Sequence, residues 1–116
     1  MKLQPVTNQP NFSGRVVFEP KTTYQLTKGM PREVCKKIRE VADLVSEKPY
    51  DVFISGNAQD ANFYDIAANT SFAEAQKVKE YTVKIQRDTV LTSIVDAAKE
   101  AMEMYETFIV KGIKGC

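Results

Sequence analysis

The chain has 116 residues, 27% of them charged and 43% apolar, with a formal net charge of +1. That length supports one domain whose core needs no disulfide or metal staple, and the near-neutral balance removes any bulk electrostatic pull toward nucleic acid or an anionic membrane. No apolar run approaches the roughly 18 residues a membrane span needs, and the first residues lack the apolar region of a signal peptide, so the expected setting is cytoplasmic.

Residues 1–15 are polar and punctuated by Pro5, Pro10 and Gly14. They read as a flexible leader ahead of a domain spanning 16–116, or as an extended arm docking Leu3, Val6 and Phe12 in a groove. The run Arg15-Val16-Val17-Phe18-Glu19 is β-type and ends at Pro20, which suits an edge strand.

A first helix is predicted over residues 30–46. Pro31 fits its first turn, and Val34, Ile38, Val41, Ala42 and Val45 form the apolar stripe. Cys35 sits at the edge of that stripe and reads as a small packed side chain. Arg32, Lys36, Lys37 and Arg39 face outward.

Pro49 stops the helix, and residues 50–55 and 63–69 read as two strands of a hairpin around the turn-rich stretch 56–62. Ser71-Phe72-Ala73-Glu74 fits a capping box, so one or two helical turns follow. Residues 81–87 alternate as a half-buried strand. Along residues 88–111, Leu91, Ile94, Val95, Ala98, Met102, Tyr105, Phe108 and Ile109 recur in steps of three and four, the signature of a long amphipathic helix. The expected fold class is α+β, with a mainly antiparallel sheet of three or four strands and two long helices on one face.

Strand parity divides the sheet. Tyr50, Val52, Ile54, Tyr64, Ile66, Ala68, Tyr81, Val83 and Ile85 share the face the helices cover. Asp51, Phe53, Ser55, Phe63, Asp65, Ala67, Thr82, Lys84 and Gln86 share the open face. Phe53 and Phe63 are the aromatic exceptions there; with Phe53 opposite Asp65, the two rings would be diagonal neighbours in contact. Exposed aromatics commonly anchor protein partners.

Length adds a second expectation. A helix of about 22 residues spans roughly 30 Å, while strands of six or seven span only about 20 Å. The overhang would carry Tyr105, Phe108 and Ile109, whose burial stabilises by roughly 5 to 8 kcal/mol. Their cover is expected to be the N-terminal segment or a second copy of the chain, making a homodimer.

The chain contains no histidine, which excludes imidazole acid–base catalysis and histidine-activated nucleophiles. Cys35 and Cys116 lie too far apart in sequence for a zinc cluster, and phosphate-cradling glycine motifs are absent. Carboxylate pairs remain, with Asp51 and Asp65 on the open face and Asp60 in the hairpin loop, but a carboxylate hydrolase needs a concave site around its acids. No enzyme activity, cofactor or metal site is therefore expected.

The order helix, three strands, helix over residues 31–111 resembles that of double-stranded-RNA-binding domains, a family whose second helix opens with clustered lysines. Here that position reads Asp88-Thr89-Val90-Leu91-Thr92-Ser93, so the resemblance is of order and carries no site residues. The expected function is a non-enzymatic protein–protein interaction module, using Phe53, Phe63, Tyr105, Phe108 and Ile109. The alternative is a nucleic-acid-binding domain using Arg32, Lys36, Lys37 and Arg39.

Overall fold

The computed structural model describes residues 13–19, 32–57 and 59–111. In chain order the elements are β1 (Val16–Phe18), α1 (Arg32–Val45), β2 (Asp51–Gly56), β3 (Phe63–Asn69), α2 (Phe72–Lys77), β4 (Val83–Gln86) and α3 (Val90–Met104). Short 3-10 turns, Lys79–Tyr81 and Arg87–Thr89, flank β4, and a π-helical turn, Tyr105–Val110, extends α3.

The four strands lie in the order β1-β2-β3-β4. β1 pairs in parallel with β2, and the other two pairings are antiparallel. The parallel pair requires a crossover, which α1 supplies. The fold is α+β, as the element pattern predicts, with a mostly antiparallel sheet and two long helices.

Parity sorts the core as expected. Val52, Ile54, Tyr64, Ile66, Ala68 and Ile85 pack against Val41 and Val45 of α1 and against Ile94, Ala98, Ala101 and Met102 of α3. β1 adds Val16 and Phe18 at the margin of this cluster. Ser71 caps α2, its hydroxyl accepting from the Glu74 amide at 3.1 Å.

Three expectations about boundaries change. Ser13–Arg15 are not part of a loose leader. A Cβ on Gly14 would lie 2.1 Å from the Tyr50 carbonyl oxygen and 2.4 Å from that of Val45, and the Arg15 amide donates to Asp51 at 2.9 Å. The expected leader over residues 1–12, and Met30 and Pro31 of the predicted first helix, lie outside the described residues. Tyr81 leaves the strand for the 3-10 turn before β4.

The third change concerns the end of α3. Tyr105 is buried, with its ring 4.6 Å from that of Tyr50. Phe108 stacks on Tyr81 at 5.3 Å and 8°, and Ile109 packs against the core. The expected overhang is thus not seen: Tyr105 is buried, and Phe108 and Ile109 are half-buried against the same platform. The physical reason lies just outside the strands. β2 and β4 run in the same direction, because each pairs antiparallel with β3. Tyr50 directly precedes β2 and Tyr81 stands two residues before β4, and both extend the platform beneath the end of α3. Strand length alone underestimates that platform. Among the described residues, no helix is long and apolar enough to cross a membrane.

Candidate functional site

The face of the sheet away from α1 and α3 is only partly open, because α2 crosses it. Phe72, the first residue of α2, packs edge-on against Phe53 with ring centroids 5.8 Å apart. Phe53 is consequently 6% exposed, while Phe72 is 42% exposed. The expectation that Phe53 is a surface aromatic is therefore corrected: the short helix brings its own phenylalanine to cover it.

The expected contact between Phe53 and Phe63 is corrected as well. Register places Phe53 opposite Ala67 and Phe63 opposite Gln86. The hairpin is one residue pair longer than a Phe53–Asp65 pairing requires, so the two rings are four positions apart instead of two. Phe63 is half-buried, and its ring carries the Lys84 ammonium at 5.1 Å from the centroid.

Beside α2 the open face forms a trough of about 470 Å³. Phe72, Gln76 and Lys79 wall one side, and Asn57 and Gln59 of the hairpin wall the other. Register lays Ser55, Asp65 and Lys84 in one row across β2, β3 and β4 along its floor. A smaller apolar cleft of about 310 Å³ adjoins it between β1 and α2, lined by Val17, Phe18, Phe53, Ile54 and Phe72.

The polar groups of the trough are held apart. Asp65 Oδ1 accepts from Asn57 Nδ2 at 3.0 Å, and Asn57 in turn holds the turn by accepting from the Gln59 and Asp60 amides. Lys84 faces Asp65 directly in register but lies over Phe63, and the two form no ion pair. Ser55 is 7% exposed, and its hydroxyl has no hydrogen-bond partner among the described residues.

The other predicted residues lie elsewhere. Tyr105, Phe108 and Ile109 sit at the opposite, helix-covered side of the sheet, and the structure brings none of them to the open face. Arg32, Lys36 and Arg39 are exposed on α1, whereas Lys37 is half-buried and pairs with Glu40 at 3.4 Å. Cys35 is exposed instead of packed. Among the described residues, no group of three or more His, Cys, Asp or Glu side chains is placed to hold a metal ion.

At the end of α3, Glu106 receives hydrogen bonds from the Tyr50 phenol and from Lys48 Nζ, the latter at 3.1 Å. The Tyr50 hydrogen bond, aided by Lys48, holds the Glu106 carboxyl below its usual range, against the opposing effect of burial. Burial and the neighbouring Glu106 carboxylate push the Tyr50 phenol well above its ordinary value. This cluster ties β2 to the last turn of the chain described.

Sequence reasoning placed Ser55, Asp65 and Lys84 on one face by alternation, naming Asp65 only as half of a carboxylate pair with Asp51 and not singling out Ser55 or Lys84. It missed Phe72, whose only local signal was the capping box, a helix-start pattern that says nothing of which face the helix crosses. Compared with known proteins, the chain matches no family model, no curated protein and no solved structure.

Proposed function

We propose that this chain is a non-enzymatic protein–protein interaction module, a small adaptor, inhibitor or assembly subunit, whose contact surface is the partly open sheet face. The observation that carries the reading is Phe72, 42% exposed on a short helix. It stands on Phe53 and borders both the trough and the apolar cleft beside β1. An aromatic held rigid from below and open above is the kind of side chain that dominates interface energetics. Phe63 at the far side of the same face is the second contact residue. Phe53 acts beneath the surface by fixing Phe72.

A second reading has its own observation. Arg32, Lys36 and Arg39 lie at steps of four and three, hence on one flank of α1, and all are exposed. Such a stripe can contact successive phosphates. Photocrosslinking separates the two readings. A photoreactive aromatic at position 72 is expected to yield protein adducts in lysate, with the yield lost when Phe63 is also changed to Asp. The same probe at position 36 is expected to yield no nucleic-acid adduct. Nuclease-sensitive adducts at position 36, with none at 72, would replace the first reading with the second.

A further inference from the structure

We propose that the trough on the open sheet face is a binding site for a free α-amino acid with an apolar side chain. Three observations converge there. Asp65 and Lys84 are direct cross-strand partners of opposite charge, the arrangement that normally closes into an ion pair. They do not close: Asp65 turns to Asn57 at 3.0 Å and Lys84 turns over the Phe63 ring. A gap flanked by one carboxylate and one ammonium therefore lies open on the sheet surface.

Ser55 is the second observation. It is the other cross-strand neighbour of Asp65, it is 7% exposed, and its hydroxyl opens into the trough without a partner among the described residues. The hydroxyl is therefore accessible from the trough and free to bond a ligand placed there. The third observation is the adjoining row of the floor, where Phe53 lies opposite Ala67 under the ring of Phe72. The trough thus offers an apolar surface one residue step from its charged row.

These groups match a zwitterion in order. The α-ammonium donates to Asp65 and Ser55, which are adjacent in the row. The α-carboxylate accepts from Lys84 on the other side of Asp65, with Lys79 on the wall nearby. The side chain lies over Ala67 against Phe72. A volume of about 470 Å³ falls within the range of small-molecule pockets. A ligand bearing only one charge would engage only one of Asp65 and Lys84. This inference goes beyond the partner surface and does not rest on it.

The test is a titration of the isotope-labelled full chain with L-phenylalanine, read by backbone amide shifts. Saturable shifts are expected at Ser55, Asp65, Thr82 and Lys84. N-acetyl-L-phenylalanine, which lacks the ammonium, and L-phenylalaninamide, which lacks the carboxylate, are each expected to bind about tenfold or more weakly, the loss of one charge-assisted contact. Asp65→Asn and Lys84→Met are each expected to weaken L-phenylalanine to a similar degree while the spectrum keeps its folded dispersion. Ser55→Ala gives a smaller loss in the same direction. Absence of shifts up to the solubility limit of the amino acid overturns the proposal. So does equal binding of the acetylated compound, which identifies a site for a chain-terminal carboxylate, or of the amide, which identifies an amine site. Because the readout here is a small-molecule shift, its failure leaves the position-72 crosslinking result untouched.

Discussion

The phenol of Tyr50 donates a hydrogen bond to the carboxylate of Glu106, joining the residue before β2 to the π-helical turn after α3 across 56 positions of sequence. Lys48 meets the same carboxylate at 3.1 Å. Tyr50→Phe keeps the ring against Tyr105 but removes this donor, and is expected to cost about 1 to 3 kcal/mol in urea denaturation.

The same pair sets two limits in pH. Glu106 titrates below its ordinary value, chiefly through the Tyr50 hydrogen bond. Its stabilising contribution is therefore complete above the ordinary carboxylate range and is lost as pH falls through its lowered value. Tyr50 titrates above its ordinary value through burial and then Glu106. Its contribution is complete below pH about 10 and is lost as pH rises beyond that. Denaturation midpoints measured across pH are expected to fall at both extremes. Glu106→Gln flattens the acid limb, and Tyr50→Phe flattens the alkaline limb.

Phe53 behaves as a core residue. Phe53→Ser is expected to cost about 3 to 5 kcal/mol, the range for deleting a buried aromatic, and not the ~1 kcal/mol of a surface change. Phe72→Ser loses mainly the ring pair, about 0.5 to 1.5 kcal/mol. Equal and small losses at both positions would show that α2 does not rest on Phe53 in solution.

Tyr81 and Phe108 stack nearly parallel at 5.3 Å. A double-mutant cycle with Tyr81→Ala and Phe108→Ala is expected to give a coupling of about 0.5 to 1.5 kcal/mol. Because this contact is internal, the coupling is expected to be independent of protein concentration. A coupling that appears only at high concentration would return Phe108 to an interface between copies.

Gly14 lies too near two backbone carbonyls for any side chain, at 2.1 Å and 2.4 Å. Neither oxygen is the end of a flexible group. Gly14→Ala is expected to lower the melting temperature, with a cost of at least about 1 to 3 kcal/mol for the displaced backbone. An unchanged melting temperature would mean that residues 13–15 separate from the body in solution.

Where the sequence was read correctly, the signal was local. Periods of two and of three to four residues placed the two faces of β2 and β3 and most of the buried stripes of α1 and α3, because side-chain direction in a strand or helix is fixed by its own backbone geometry; Leu91, counted in the α3 stripe, is exposed, while Ala97 and Ala101 are buried. Ser71 as a cap was legible for the same reason. The sheet's helix-covered face was therefore named nearly residue by residue. The candidate site was legible only as a parity class. Nothing in the order of residues said that Asp65 would leave Lys84 for Asn57, or that Ser55 would lack a partner.

What the sequence determined by itself is an α+β domain with two amphipathic helices against one face of a hairpin-based sheet. Only the tertiary structure decided that Phe53 opposes Ala67, that α2 lies across the open face, that β1 joins in parallel, and that Tyr50 and Tyr81 seal the end of α3. Alternation fixes which side of a strand a residue is on, but not how far the strand slides along its neighbour. Register and helix placement depend on loops and on contacts between distant segments, and these have no local period to read.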